Sequence, residues 1–447
     1  MPFEPQATIL ELGDGFYDRV APAAFPQATL RFRNDRAAAS VGLADLSDDA
    51  WLDRFARFVP LAGSLPDPLA LRYHGHQFRS YNPDLGDGRG FLYAQCRDDR
   101  GRLMDFGTKG SGPTPWSRAG DGRLTLKGGV REILATEMLE ALGVDTSRTF
   151  SLVETGEALH RGDEPSPTRS AVLVRLSHGH IRIGTFQRLA YERDADRMTR
   201  LTGYVLARLY GESPGGDAPA QLLRGVVART ARLAASYMAA GFVHGVLNTD
   251  NINVTGESFD YGPWRFAPTW DPAFTAAYFD HSGLYAFGRQ PEAIHWNVGQ
   301  LAVALRTISD AAPLIEALEA FPALYQTAVA ERMLWRLGVV PRGSAADLPL
   351  VQALERGLRT TGLGLDRFFF DAFGGTAPPG DAWAELRAAL APYRPRSDRA
   401  HPYWSGEPCT MLIDEVEAIW AAIAERDDWA PLDAKLAAIR VMSAALA

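Results

Sequence analysis

A polar loop at residues 244–253 carries the groups of this sequence that are best suited to bind a metal ion. It reads His-Gly-Val-Leu-Asn-Thr-Asp-Asn-Ile-Asn, so that Asp250 and Asn251 stand side by side. A second carboxylate, Asp260, follows shortly before a glycine and a proline. Mg²⁺ prefers oxygen ligands and usually takes one or two protein side chains together with phosphate oxygens. The loop and Asp260 therefore predict a site for a divalent cation and a phosphorylated ligand.

The spacing of these residues can be set against the protein-kinase signature. There, H-R-D-x-x-x-x-N supplies a base and a metal-binding asparagine, and D-F-G supplies a second metal ligand. His244 and Asn251 match the His and the Asn, and Asp260-Tyr-Gly resembles D-F-G. The base position is Val246, whereas a carboxylate, Asp250, stands beside the Asn. The pattern keeps the metal ligands and lacks the usual base. An Asn- and Asp-rich turn between a helix and a strand is the alternative for the loop taken alone.

Two strand-like runs predict a hairpin that could hold phosphates. Gly86-Asp-Gly-Arg-Gly leads into Phe91 to Cys96, and the second run, Leu103 to Lys109, ends on a lysine. A glycine-rich turn lets backbone N–H groups approach phosphates closely, although such turns are common in ordinary hairpins. A phosphate loop followed by a lysine on the next strand is the order of kinase N-lobes. Taken alone, Lys109 would more often be a solvated surface lysine.

A helix from Gly129 to Leu142 could supply the partner of that lysine. Its apolar residues recur at helical spacing, and Gly143 predicts its end. Glu132 lies where the αC glutamate of a kinase pairs with the lysine, and Glu137 is the competitor for that role.

Two arginines could clamp phosphates. Ala171 to Leu176 and His180 to Phe186 predict a second hairpin, with Arg175 and Arg182 on either side of its turn. Guanidinium groups stay charged and bind phosphate through paired donors. The alternative is that both are solvated charges at a sheet edge.

Composition narrows the class of protein. Hydrophobic residues make up 46% and charged residues 22%, which is typical of a soluble globular protein with a sizeable core. The net charge of −8 argues against binding to nucleic acid or to an anionic membrane. Two cysteines, Cys96 and Cys409, exclude a disulfide framework. No signal peptide and no apolar stretch long enough to span a membrane is visible, so we expect a cytoplasmic protein.

The elements divide the chain into a strand-rich first half and a helical second half. From about Tyr191 onward the apolar spacing is helical. The expected helices are Ala195–Tyr210, Gln221–Ala240, Ile294–Ile308, Ala312–Leu337, Leu348–Thr360, Gly380–Ala391 and Ile413–Ala424.

Together these stretches resemble the selenoprotein O family, known from bacteria as YdiU-type proteins. The resemblance runs from Phe16-Tyr-Asp-Arg-Val-Ala-Pro to about residue 395. It implies an α+β fold, protein-kinase-like and bilobal, with a nucleotide site between a strand-rich N-lobe and a helical C-lobe. We expect one catalytic unit, with residues 1–190 forming the N-terminal segment and N-lobe and residues 191–447 the C-lobe. The most specific matches are Gly86-Asp-Gly-Arg, Lys109-Gly-Ser-Gly-Pro-Thr-Pro-Trp-Ser-Arg, Asp121-Gly-Arg, Asn248-Thr-Asp-Asn and Asp260-Tyr-Gly-Pro.

The resemblance also implies an activity and a set of site residues. The family is similar to kinases but binds ATP in a reversed orientation, and it transfers AMP to Ser, Thr or Tyr of another protein with release of pyrophosphate. Asp250 would accept the proton, and Asn251 and Asp260 would hold Mg²⁺ or Mn²⁺. Glu132 would anchor Lys109. The residues that would line the nucleotide are Gly86, Gly88, Arg89, Lys109, Asp121, Gly122, Arg175 and Arg182, with Asp260 beside them.

Other activities and one departure stay open at this point. A kinase-like phosphotransferase and an ATP-binding pseudokinase scaffold are the alternatives. Many relatives carry a cysteine or selenocysteine near the C-terminus, whereas this chain ends in Ala-Ala-Leu-Ala. Cys96 lies in a predicted strand as a small buried residue, so we expect no thiol switch. We expect a monomer that acts on proteins, without nucleic-acid or membrane partners.

Overall fold

The computed structural model describes residues 2–162 and 164–447. Met1, at the start of the expected N-terminal segment, and Asp163 lie outside the described residues. The N-terminal part contains β1 (Glu4–Gln6), β2 (Tyr17–Arg19), β3 (Thr29–Arg33), α1 (Asp35–Ser40), α2 (Asp48–Phe55), β4 (Leu69–Leu71), β5 (Gly75–Gln77), β6 (Ser80–Asn82), β7 (Leu92–Arg97), β8 (Leu103–Lys109), β9 (Leu124–Thr125), α3 (Leu126–Ala141), β10 (Arg148–Leu159) and β11 (Thr168–Ser177).

The C-terminal part is helical. It contains α4 (Ile183–Glu192), α5 (Ala195–Tyr204), α6 (Ala218–Ala240), β12 (Phe242–Val243), β13 (Arg265–Phe266), α7 (Gln290–Leu305), α8 (Ala311–Glu319), α9 (Phe321–Arg336), α10 (Ser344–Thr361), α11 (Leu365–Ala372), α12 (Ala384–Leu390), α13 (Ile413–Arg426) and α14 (Ala430–Leu446).

The N-terminal part is organised by one antiparallel sheet in the order β2-β4-β7-β8-β11-β10-β3, with β1 added to β7 and β9 to β11. Both faces of the sheet are covered. On β11, Val172 and Val174 contribute to a cluster with the aromatic rings of α2, whereas Leu173 joins the larger core that includes α3. Side chains alternate between the faces of a strand, and a sheet buried on both sides therefore reads as a continuous apolar run. This explains the unbroken Ala-Val-Leu-Val of β11.

Helix α3 links the sheet to the rest of the molecule. Thr125 caps its first turn by accepting a hydrogen bond from the Gly128 N–H at 3.1 Å. One side of α3 packs on β10 and β11, and the C-terminal helices α13 and α14 pack against α3 as well. Lys127 on α3 forms an ion pair with Glu417 on α13 at 2.7 Å. The end of the chain thus returns to support the helix that carries Glu132.

Helix α6 is the centre of the helical part, and α7, α8 and α9 pack around it. Asp217 caps its first turn, and Gly241, with φ 69°, ends it in the left-handed conformation that glycine adopts without strain. The polar loop at residues 244–253 follows β12 directly. The buried helix α6 and the short strand β12 therefore place this loop next to the sheet. This arrangement, a strand-rich lobe and a helical lobe joined around a polar loop, is the expected protein-kinase-like bilobal fold.

Several sequence predictions are confirmed. The hairpin of β7 and β8 forms with the expected strands, and α6 ends where Gly241 predicts. Helix α3 begins at Leu126 rather than Gly129, which moves Glu132 out of the first turn. The proposed division at residue 190 stays a prediction, and α4 runs across it.

Two element predictions are wrong. His180 to Phe186 does not form a strand paired with β11, because β11 pairs with β10 and β8 instead. The segment instead forms two hydrogen bonds, from Ile183 N–H to the Ile252 carbonyl and from Val254 N–H to the Ile181 carbonyl, and then enters α4. The expected helix Ala312–Leu337 is two helices, α8 and α9, with Pro322 in the first turn of the second. Proline is well placed there, since its missing N–H has no helical partner in a first turn.

Within the described ranges, the helices are each too short or too polar to cross a lipid bilayer.

Candidate active site

A polar cavity of about 600 Å³ lies where the sheet meets the loop at residues 244–253. Ligand sites commonly occupy about 300–1,000 Å³. Seven basic and four acidic side chains are among those that line it, so that the positive charges outnumber the negative ones. Such a lining suits a polyanionic ligand. The expected site residues found on its surface are Gly86, Gly88, Arg89, Lys109, Asp121, Gly122, Arg175, Arg182, Asp250 and Asp260.

Lys109, which lines the cavity, forms a buried ion pair with Glu132 behind this surface. Lys109 is the last residue of β8, Glu132 lies on α3, and the ammonium group donates to the Glu132 carboxylate. The ammonium also lies 3.3 Å from the carbonyl oxygen of Tyr261 and from Oδ1 of Asp260. The competitor Glu137 instead binds Asn34 and Arg36. The αC-type role therefore falls to Glu132.

Asp260 is surrounded by cations. Its Oδ1 lies 3.3 Å from Nη1 of Arg175 and from Nζ of Lys109, and its Oδ2 lies 3.1 Å from Nη1 of Arg182. Burial alone would raise the pKa of this carboxyl, but Arg175, Lys109 and Arg182 outweigh it and hold the pKa well below its usual range. Its φ of 65° is left-handed, a conformation that is uncommon for residues other than glycine and recurs at functional sites. Asp260 is thus an ionised carboxylate held in a strained backbone.

Asp250 lies on a short 3-10 turn, Thr249–Asn251. Burial raises the pKa of its carboxyl to about 6, with Arg182 opposing the rise. Its Oδ1 is buried and has no hydrogen-bond partner among the described residues. A Cβ on Gly75 would lie 2.9 Å from that oxygen, so glycine at position 75 leaves room for the carboxylate. Asp250 is therefore a buried carboxylate that lines the cavity, and its unpartnered Oδ1 lies against Gly75.

The hairpin of β5 and β6 fixes the turn that carries Asp250. The His76 N–H donates to the Thr249 hydroxyl at 2.7 Å, and that hydroxyl donates to Gln187 at 2.6 Å. The Phe78 N–H donates to Oδ1 of Asn248 at 3.1 Å. The sequence predicts no functional role for this hairpin. No short motif marks it, because its contacts reach residues more than 100 positions away.

Asn251 is oriented by the backbone of its own loop. Its Nδ2 donates to the carbonyl oxygen of Val246 at 2.9 Å, which leaves the amide oxygen free of that contact. Neither Asn251 nor Glu132 belongs to the cavity lining within the described ranges. His244 is fully buried, and burial lowers the pKa of its imidazole. The histidine is therefore a neutral core residue, and the loop offers Asn251 as an oxygen donor.

Asn251 and Asp260 would offer a divalent cation one amide oxygen and one carboxylate as ligands. Within the described part of the chain, no group of three His, Cys, Asp or Glu side chains is arranged to hold a metal ion. Mg²⁺ is commonly bound by only one or two protein side chains, because phosphate oxygens and water complete its coordination shell. One amide and one carboxylate would suit only a cation that arrives with a phosphorylated ligand.

The glycine-rich turn at residues 86–90 lies in close contact with the loop at residues 110–122. A Cβ on Gly86 would lie 2.4 Å from the Trp116 ring, and one on Gly88 would lie 2.8 Å from the Trp116 carbonyl oxygen. On the same loop, Gly122 has φ 67°, and a Cβ there would lie 2.2 Å from the Gly112 backbone. Gly86 and Gly88 are required because the loop at residues 110–122 packs directly on the turn, and Gly122 is required because it lies against the backbone of Gly112 in that loop.

Several lining residues were not expected from the sequence. Asp87 lies between the two glycines, and its Oδ1 is 3.3 Å from Nη2 of Arg182. Arg161 forms an ion pair with Asp121 at 2.8 Å. Arg118 also lines the cavity. Asp87 and Arg118 stand inside motifs that were recognised, whereas Arg161 carries no local sequence signal.

The family model and the curated relatives that match this sequence agree on one family. Residues 2–377 match the family model of protein adenylyltransferase SelO. Proteins named protein nucleotidyltransferase YdiU match the chain at 44% identity in Synechocystis sp. (97% of this chain, 96% of the relative) and at 45% in Gloeobacter violaceus (96% and 93%). A further protein of that name, in Pseudomonas putida, is 37% identical over 80% of this chain and 73% of its own. A Toxoplasma gondii rhoptry antigen kinase domain aligns at 12% identity with a TM-score of 0.30, over 60% of this chain and 83% of that one.

Proposed function

The chain belongs to the protein adenylyltransferase SelO family, and from that premise we propose that it transfers AMP from ATP to Ser, Thr or Tyr hydroxyl groups of other proteins. The observation that carries the proposal is the position of the Asp250 carboxylate. Val246 occupies the place of a kinase base, whereas the carboxylate residue Asp250 lines a cavity rich in cations.

Asp250 acts as the proton acceptor in this proposal. The acceptor oxygen forms a bond to the α-phosphorus, the bond from that phosphorus to the bridging oxygen breaks, and pyrophosphate leaves with the bonding electrons. The hydroxyl proton passes to Asp250. Burial raises the pKa of the Asp250 carboxyl to about 6, so that the group is ionised near neutral pH and basic enough to accept this proton.

The cationic side chains bind the triphosphate. Lys109, Arg175 and Arg182 meet at Asp260 and would stabilise the negative charge that develops on pyrophosphate. Their buried positions leave little water to screen them, which strengthens the interaction. Asn251 and Asp260 would hold Mg²⁺ or Mn²⁺. The bound cation would neutralise phosphate oxygens.

Parallel reactions with α-labelled and γ-labelled ATP test the proposal. The protein is incubated with either nucleotide, a divalent cation and a mixture of candidate substrate proteins, with Asp250→Asn as the matched variant. We expect protein-bound label from the α-phosphate alone, and its loss in the variant. Label from the γ-phosphate would indicate phosphotransfer. Nucleotide binding without labelling of any protein would indicate a scaffold.

Three finer points belong to the same proposal. The acceptor is a protein, consistent with the acidic net charge of −8, which disfavours nucleic acid. The molecule acts as a monomer in the cytoplasm, which light scattering and cell fractionation would check. The choice between Mg²⁺ and Mn²⁺ is decided by titrating each ion into the labelling reaction.

A further inference from the structure

A chain of buried polar side chains leads away from Arg175. The Arg175 Nε–H donates to Nε2 of His180 at 3.2 Å, and Nδ1 of His180 lies 3.3 Å from Oδ2 of Asp105. Gln95 donates from Nε2 to Oδ1 of Asp105 at 2.7 Å. All four side chains belong to residues that are at most 5% exposed. Asp105 and His180 therefore touch Arg175 from within the protein, and neither lines the cavity within the described residues.

The sheet is built to admit this arrangement. In the pairing of β8 with β11, Gly107 stands opposite Arg175 and Asp105 stands opposite Ser177. A Cβ on residue 107 would lie 2.3 Å from Nε2 of His180. The histidine ring thus occupies space that only glycine leaves open.

The contacts determine which ring nitrogen carries the proton. A guanidinium group can only donate, so Nε2 of His180 must be the acceptor from Arg175. Burial lowers the pKa of His180 despite the opposing effect of Asp105, so the ring is neutral. Its proton is then on Nδ1 and faces Asp105. The Ser177 hydroxyl, 3.3 Å from each ring nitrogen, can donate or accept and fits either tautomer.

We propose that Asp105 and His180 are positioning residues that hold Arg175 in place for the phosphates of ATP. Asp105 selects the Nδ1–H tautomer of His180, and the free Nε2 then fixes the guanidinium of Arg175. The Phe259 ring lies 5.1 Å from that guanidinium and limits its movement on another side. The inference rests on the proposed function only in its assumption that Arg175 binds ATP.

Asp105→Asn reverses the tautomer with almost no change in shape. The Oε1 of Gln95 accepts from the Ile9 N–H at 2.8 Å, which fixes its Nε2 toward position 105. The new amide would turn its oxygen to Gln95 and its NH₂ to Nδ1 of His180. The ring proton would move to Nε2 and oppose the Nε–H of Arg175. A comparable loss of tautomer control explains the effect of an Asp-to-Asn change in serine proteases.

Two substitutions of His180 distinguish its contact with Arg175 from its contact with Asp105. His180→Gln can place an amide oxygen near the position of Nε2 and keep an acceptor for Arg175. His180→Asn is shorter and can reach only Asp105. Asp98→Asn is the matched control, because Asp98 is a buried carboxylate in the turn between β7 and β8 and binds Arg102 outside the cavity.

The measurements are ATP titration by calorimetry, thermal melting, and NMR of the full chain with ¹⁵N-labelled histidine. The His180 signal is assigned by its loss in His180→Gln. We expect the Nδ1–H tautomer in the wild type. ATP affinity should fall about tenfold or more in Asp105→Asn and His180→Asn, the effect of losing a hydrogen bond to a charged group. It should fall less in His180→Gln and stay unchanged in Asp98→Asn.

Two results would overturn the inference. One is an Nε2–H tautomer of His180 in the wild type, a reading that needs a His180 variant only for assignment of the signal. The other is wild-type ATP affinity in folded Asp105→Asn and His180→Asn. Neither readout requires AMP transfer, so failure of the proposed activity would leave this test intact.

Discussion

Replacing Glu257 by glutamine should stabilise the folded protein at about pH 8 and change its stability little at about pH 5. Glu257 precedes Asp260 by three positions, and its Oε2 accepts a hydrogen bond from the His178 N–H at 2.8 Å. Burial raises the pKa of its carboxyl from 4.5 to about 7, despite that bond and the nearby Arg102. Arg102 is already paired with Asp98 at 2.8 Å. The charge of Glu257 is therefore poorly compensated.

The sign and size of the effect follow from this difference in pKa. Between about pH 4.5 and pH 7 the folded state holds a proton that the unfolded state has released, so the stability of the wild type falls as the pH rises. Above this pH window, the free energy of unfolding of the wild type is lowered by about 3 kcal/mol in total. It is an upper limit, because a cavity of about 200 Å³ lined by Glu257 can admit water. Glutamine can keep the hydrogen bond from His178 and has no charge to bury.

The assay is thermal melting of both proteins at the two pH values. For a chain of this length, about 3 kcal/mol corresponds to a shift of about 3 °C. Glu154→Gln is the control of opposite sign, because Arg169 and Arg31 hold the pKa of Glu154 low despite its partial burial. That substitution should destabilise the protein near neutral pH. A Glu257→Gln protein that melts at or below the wild-type temperature at pH 8 would refute the reasoning.

Other predictions concern the site itself. Asp250→Asn should slow AMP transfer by about 10²–10⁴-fold while most ATP binding is kept, and an equal loss of binding and transfer would refute the role of proton acceptor. Asp260→Ala should abolish metal-dependent ATP binding in a calorimetric titration, because one of two protein oxygen donors is lost, whereas unchanged binding would place the cation elsewhere. Labelling should proceed at equal rates with and without reductant, because Cys96 and Cys409 are free and buried and burial raises the pKa of both thiols. A reductant-dependent rate that disappears in Cys409→Ser would contradict this.

The sequence predicted those parts of the fold whose signals are local. The hairpin of β7 and β8 has its glycine-rich approach and two short apolar runs, and α6 has helical spacing and a terminal glycine. The partners of β11 could not be predicted in this way, because β10 and β8 compete with the nearer segment at 180–186. Residues 180–186 alternate like a strand, yet their backbone pairs with residues 252–254, far along the chain.

The residues of the candidate site were predictable where they belong to a short motif whose spacing is local in the sequence. Lys109, Asp250 and Asp260 were found by type and spacing. Arg175 and Arg182 do meet, at Asp260, although the hairpin expected to bring them together does not form. Arg161, the β5–β6 hairpin and the contacts behind Arg175 depend on tertiary packing, and a single sequence does not report which distant residues will pack together.

The most direct test of the proposed AMP transfer is the identity of the second product formed from ATP. Purified protein is mixed with ATP, a divalent cation and one acceptor protein, and the products are separated and quantified beside the mass of the modified acceptor. We expect one pyrophosphate released for each AMP found on the acceptor, and both products formed about 10²–10⁴-fold more slowly with Asp250→Asn. ADP released together with a phosphorylated acceptor would contradict it.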